Sequence, residues 1–175
     1  MKVAITFIGT NKYLDFLPQY YENIEKYFLP NSEKVILAFT DGELDDVPRN
    51  LKVYKQEHLD WPYITLKRFE IINKARDVIE ECDWLVFIDA DALVVDYISE
   101  YEFFNFTKPL FGVHHPCHAL GMEPHTKAPG AYEQNPKCEA YVDTSKGLPP
   151  VYWQGCFWGG KVPEVCAMID ELEAR

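Results

Sequence analysis

Apolar residues follow two rhythms along this chain. Unbroken apolar runs occur at Val35-Ile36-Leu37-Ala38-Phe39 and at Trp84-Leu85-Val86-Phe87-Ile88, and Val3-Ala4-Ile5-Thr6-Phe7-Ile8 is apolar but for Thr6. Short runs rich in β-branched and aromatic residues predict strands buried on both faces. Leu14, Leu17, Tyr21, Ile24 and Phe28 instead share one helical stripe, with Asp15 as the expected N-cap and Pro18 tolerated in the first turn. Pro30-Asn31 should end that helix. A second helix is predicted from Thr65 as N-cap to about Glu81, with Ile64 and Phe69 placed as a hydrophobic staple. Leu51 to Tyr54, Leu110 to His114 and Val151 to Phe157 read as further strands, the last stopped by Gly159-Gly160. Pro163 should open a final helix with Val165, Met168, Ile169 and Leu172 on one face. Strand and helix alternate, which predicts an α/β domain with a mostly parallel sheet flanked by helices. No period is visible from about Cys117 to Pro150, and a loop of that length is usually functional or mobile.

The run Trp84–Ile88 leads straight into Asp89-Ala90-Asp91. In open α/β sheets the ligand crevice lies outside the carboxyl ends of the strands. Two acids at such an end are costly to bury unpaired. Their oxygens suit a hard cation, Mn²⁺ or Mg²⁺, which in turn takes the oxygens of a diphosphate. The alternative is a pair of turn acids facing solvent.

Charge sharpens this choice. The chain of 175 residues carries a formal net charge of -11, and its sequence pI is near 4.8. That argues against nucleic-acid binding, which needs a basic stripe, and against docking on anionic lipid. A phosphate ester would meet the wrong sign unless a cation bridges the two. Lys67 and Arg68 stand near a predicted helix start, where anions are favoured, and the fork of Arg68 suits a phosphate or a sugar hydroxyl. Five cysteines (Cys82, Cys117, Cys138, Cys156 and Cys166) fall at irregular spacings without a Cys-x-x-Cys pair. A reduced, cytoplasmic protein is expected, and no apolar run approaches membrane-spanning length. His114-His115-Pro116-Cys117-His118, with His125 beyond, matches no standard zinc spacing.

Two further stretches carry candidate chemistry. Gly9-Thr10-Asn11-Lys12-Tyr13 could bring backbone close to a nucleotide, with Tyr13 stacking on a base, yet it lacks the Walker and dinucleotide glycine patterns. Tyr152-Trp153-Gln154-Gly155-Cys156-Phe157-Trp158-Gly159-Gly160 interleaves aromatic and small residues around one Gln, which lets a ligand approach the backbone while Trp packs on sugar C–H groups. Cys156 has no evident base to make it a nucleophile.

Taken together, several pieces in order resemble glycosyltransferase family 6, the family of the histo-blood-group A and B transferases and the α-1,3-galactosyltransferases. They are Lys12-Tyr13, Trp61 to Phe69, Asp89-Ala90-Asp91, Pro109-Leu110-Phe111-Gly112 with His115-Pro116, Tyr132-Glu133-Gln134-Asn135-Pro136 with Ala140-Tyr141, and Tyr152 to Gly160. The resemblance implies a single GT-A type domain, Rossmann-like. It implies retaining transfer of galactose or N-acetylgalactosamine from a UDP-sugar donor to a glycan hydroxyl in α-1,3 linkage. Ile8, Gly9, Thr10 and Tyr13 would hold the uridine, and Asp89 and Asp91 would hold Mn²⁺ with the diphosphate and ribose. Arg68 would contact the donor sugar. Gln154, Gly155 and Cys156 would lie at the donor, with Gln154 and Cys156 at positions that select the sugar. His115 and Trp153 would meet the acceptor. The family's catalytic Glu, in a Trp-His-Asp-Glu segment, has no counterpart in these 175 residues. The chain looks like a short, soluble microbial or phage-type member without anchor or stem. A sugar-nucleotide-binding remnant and a glycogenin-like family 8 transferase are the alternatives.

Overall fold

The computed structural model describes residues 1–105, 108–115, 133, 135–143, 145 and 153–174. Six strands among them form one sheet: β1 (Lys2–Ile8), β2 (Glu33–Thr40), β3 (Leu51–Lys55), β4 (Trp84–Ile88), β5 (Leu110–His114) and β6 (Trp153–Lys161). Their order is β3-β2-β1-β4-β6-β5. β3, β2, β1 and β4 run parallel, and β6 is antiparallel to β4. The α/β class expected from the alternation of patterns holds, with a mixed edge added to a parallel centre.

The central strands are apolar along their whole length because both faces are covered. Val3, Ile5 and Phe7 of β1 and Trp84, Val86 and Ile88 of β4 enter one core, together with Leu17, Tyr20 and Ile24 of helix α1 (Leu17–Tyr27). Ala4, Leu85 and Phe87 enter the other, against α3 (Arg68–Asn73), α4 (Arg76–Glu80) and α6 (Val162–Glu173). Full burial of each large side chain contributes roughly 1.5–3 kcal/mol. Polar atoms in this interior find partners, as the Tyr20 hydroxyl does by donating to the Thr6 carbonyl at 2.9 Å.

Several predicted boundaries are corrected. Asp15 does not cap α1; it lies inside a 3-10 turn, Asn11–Phe16, and Phe16 precedes the helix. α1 stops at Tyr27, before Pro30, and the Lys34 ammonium donates to the carbonyls of Ile24, Glu25 and Phe28 at its end. Leu29, with φ 49°, turns the chain there. The helix predicted from Thr65 is three short ones, α2 (Tyr63–Leu66), α3 and α4, and Pro62 rather than Thr65 precedes the first. Lys74 and Ala75 donate to Ile71 and Ile72, three residues back, so the backbone tightens and α3 ends. In α6 the buried face takes Val162, Val165, Cys166 and Ile169, while Leu172 is largely exposed.

The glycine pair does not stop β6; it lies within it. A Cβ at Gly159 would collide with the Leu85 carbonyl oxygen and come within 2.9 Å of the Phe111 ring. A Cβ at Gly160 would collide with the Pro109 carbonyl oxygen. Glycine is there for close approach between strands. Val151 and Tyr152, the start of the predicted strand, lie outside the described residues, as do Pro116, Cys117, His118, His125, Tyr132, Gln134 and most of the long segment to Pro150.

Helix α5 (Glu100–Phe103) was not foreseen. Ser99 caps it in a reciprocal box with Glu102. The chain divides into two compact units, one of Met1–Phe111 with Cys156–Arg175, the other Gly112–Gly155. In the second, Glu133 and Tyr141 form a bridge, and Val142 donates to the Glu133 carbonyl at 3.1 Å.

Candidate active site

A cleft of about 280 Å³ opens at the carboxyl ends of the parallel strands in the first unit. β1 delivers Ile8, Thr10 and Tyr13 to it; β4 delivers Phe87, Asp89, Ala90 and Asp91. The segment between β3 and α3 contributes His58, Leu59, Trp61, Ile64, Thr65 and Arg68. The two aspartates face one cavity, as a shared ligand requires.

Asp89 is half-buried and Asp91 exposed. The Asp89 backbone N–H donates to the Cys156 carbonyl at 2.9 Å, so β6 fixes the end of β4 where the acids begin. Burial pushes the Asp89 carboxyl above its ordinary value; nearby Arg68 opposes this and Asp91 adds to it. A carboxylate that resists ionising in a partly dry site gains from a cation.

Arg68 is the cationic wall of the cleft. Its Nε donates to the Thr65 carbonyl at 3.0 Å, and its guanidinium carbon lies 4.9 Å from the Phe87 ring centroid. Phe87 in turn stacks on Trp158 at 5.2 Å and 13°. Burial lowers the proton affinity of the guanidinium, and the charges of Asp89 and Cys156 counter it. Burial likewise raises the Cys156 thiol, with Asp89 adding to the effect.

Residues 1–173 match the family described as Glycosyltransferase family 6. This chain belongs to that family. It is 30% identical over 184 residues to the O-antigen biosynthesis glycosyltransferase WbnI of Escherichia coli, covering 100% of this chain and 75% of that protein. It is 28% identical to histo-blood group ABO system transferases 2 and 1 of Rattus norvegicus, over 93% of this chain. It spans 48% and 47% of those two proteins, about half their length.

The first unit of this family 6 chain thus brings together Ile8, Thr10, Tyr13, Arg68, Asp89 and Asp91. Gly9 is buried and its N–H donates to the Phe39 carbonyl at 3.0 Å; it does not line the cleft. Cys156 stands behind Asp89 and lines a separate apolar cleft with Ile88, Val94 and Phe157. His115, Trp153, Gln154 and Gly155 belong to the second unit. There Trp153 is exposed, His115 and Gln154 are half-buried, and Gly112 lets the Trp153 ring approach, since a Cβ would sit 3.2 Å from it. Sequence reasoning named Trp61 only within the resemblance and missed His58 as a site residue. Neither lies on a periodic element, so the only signal available was a position just after a strand. Among the described residues, no three metal-ligating side chains gather and no helix is long and apolar enough to cross a membrane.

Proposed function

We propose that this protein is a cytoplasmic, metal-dependent retaining transferase. It moves galactose or N-acetylgalactosamine from a UDP donor to a glycan hydroxyl, in α-1,3 linkage. The observation that carries this reading is the shared cleft: Asp89 and Asp91 from β4, Tyr13 from the turn after β1, and Arg68 between them in sequence. The name of the bacterial relative supports a growing polysaccharide as acceptor.

The donor set fits Mn²⁺ or Mg²⁺. Asp89 and Asp91, the carboxylates among the described residues that line the cleft, offer hard oxygens and would hold the ion. When bound, the ion supplies positive charge that offsets the leaving diphosphate on a protein of net charge -11. The chain's own residues do the positioning. Tyr13 offers a ring face to the base. Arg68, held by the Thr65 carbonyl and the Phe87 ring, lines the cleft as the cation that meets the donor. In the family resemblance, the nucleophile or cation stabiliser on the sugar's reactive face is a Glu in a Trp-His-Asp-Glu segment that these residues do not contain.

The test is incubation with UDP-galactose or UDP-N-acetylgalactosamine, with Mn²⁺ or a chelator, reading UDP release. Release that needs the metal supports transfer or donor hydrolysis. UDP binding without release reduces the reading to donor binding, and no metal-dependent UDP binding at all removes it.

A further inference from the structure

The turn that follows β1 is tethered from two neighbouring strands. Asn11 sits at φ 53°, and its N–H is accepted by both carboxylate oxygens of Asp41, at 2.9 and 3.1 Å, just beyond β2. Thr10, only 4% exposed, places its hydroxyl 2.9 Å from Nδ1 of His58, just beyond β3. The Thr10 carbonyl accepts the Tyr13 N–H at 3.1 Å, which sets where the Tyr13 ring stands. Asp41 is a loop anchor outside the cleft lining. His58 differs, because Thr10, Tyr13 and His58 all line it.

The sheet order gives this contact a direction. His58 follows β3, Thr10 and Tyr13 follow β1, and Asp89 and Asp91 follow β4, with the strands ordered β3-β2-β1-β4. Three strand spacings of about 4.8 Å make roughly 14 Å from one flank to the other. That is room for a nucleoside with its diphosphate extended. The acids occupy the β4 flank, so the Thr10–His58 pair stands at the opposite, nucleoside flank.

We propose that His58 is a positioning residue for the nucleoside end of the donor, acting through Thr10. Its ring nitrogen fixes the Thr10 hydroxyl and, through that residue's backbone, the Tyr13 ring on which the base rests. The inference depends on the donor reading above. When the Thr10 hydroxyl donates to Nδ1, the ring proton is carried on Nε2, which faces Asp60 at 3.6 Å. The contact then orders a polar wall before any ligand arrives, and a preorganised wall lowers the ordering cost of binding.

Calorimetric binding of UDP and of pyrophosphate, each with Mn²⁺, tests it on the whole chain. His58→Ala and Thr10→Val should each weaken UDP binding by roughly 3- to 10-fold, the worth of one hydrogen bond. Pyrophosphate binding should stay at the wild-type value. The double variant should bind UDP no worse than the weaker single one, since both break the same contact. His58→Asn, whose amide can reach Thr10 in place of Nδ1, should restore most of the affinity. Equal losses for UDP and pyrophosphate, additive losses in the double variant, or unchanged UDP affinity in His58→Ala would each overturn the role of His58 while leaving the donor reading intact. Wild-type protein that binds pyrophosphate but not UDP would overturn the donor reading, and this role with it.

Discussion

The guanidinium carbon of Arg68 lies 4.9 Å from the centroid of the Phe87 ring, one residue before the end of β4. A guanidinium stacks on an aromatic face in a way an ammonium does not, because it is planar and weakly hydrated. We therefore expect Arg68→Lys to behave more like Arg68→Ala than like the wild type. Both should lose about 10-fold or more in affinity for a UDP-sugar, read by calorimetry, with unchanged far-UV circular dichroism. Phe87→Leu should weaken binding in the same direction by less. A fully active Arg68→Lys would show that charge alone matters at this position.

Asp89 and Asp91 should separate in their effects on stability. Asp91 is exposed, so Asp91→Asn should abolish metal-dependent UDP binding and leave the melting temperature nearly unchanged. Asp89 carries a charge disfavoured by burial. In the metal-free protein, Asp89→Asn should raise the melting temperature, while also abolishing metal-dependent UDP binding. A lower melting temperature for Asp89→Asn would mean that the ionised carboxylate is held by contacts that outweigh its burial.

The family resemblance puts Cys156 at a position that selects the sugar, and its carbonyl accepts the Asp89 N–H. Cys156→Ala removes the sulfur and leaves the backbone bond in place. The ratio of turnover with UDP-N-acetylgalactosamine to that with UDP-galactose should rise, as a smaller side chain leaves room for an N-acetyl group. An unchanged ratio in parallel donor assays would take Cys156 off the list of selecting residues.

Gly159 lies where β6 crosses the Leu85 carbonyl. Gly159→Ala must push two backbones apart rather than displace the tip of a side chain. A loss of about 3 kcal/mol or more is expected, at the upper end for overpacking. Urea unfolding measures it, and a loss under 1 kcal/mol would mean that the strands separate easily.

That glycine shows where the sequence was legible and where it was not. β4 was readable to the residue because Trp84–Ile88 is buried on both faces, and an unbroken apolar run has few other meanings. The cleft acids followed from their place at its carboxyl end. The Gly159-Gly160 pair read as a stop because local rules see a missing side chain, whereas the close approach of β6 to β4 on one side and to the β5 segment on the other, which requires it, is tertiary. The three-part breakage of α2 to α4 was hidden for a related reason: Ile71, Ile72, Ala75 and Ile79 keep a usable helical stripe while the backbone tightens between them. The Thr10–His58 contact spans 48 positions and leaves no periodic trace.

The acids around α5 make a pH prediction with a definite sign. The Ser99 hydroxyl and backbone N–H both donate to Glu102, at 2.7 and 3.0 Å, and hold its carboxyl below the ordinary 4.5. Burial alone would raise Glu100, but donors outweigh it: the Asn31 backbone N–H at 2.7 Å, the Asn31 amide at 3.2 Å and the Ser32 hydroxyl at 3.1 Å. Both carboxyls are therefore depressed in the folded state. Their contribution is fully present above the unfolded value near 4.5 and is lost as pH falls through the lower folded values. Glu100→Gln should cost up to about 1 kcal/mol at neutral pH, allowing for solvent screening, because an amide cannot accept all three bonds as strongly. At a pH well below 4.5 that difference should shrink, since the wild-type carboxyl loses its charge as pH falls through its lowered folded value. Urea unfolding at the two pH values reads the slope. The same deficit at both would assign the loss to shape rather than to charge, and the loop from Asn31 to Ser32 would then be held without help from the ionised Glu100.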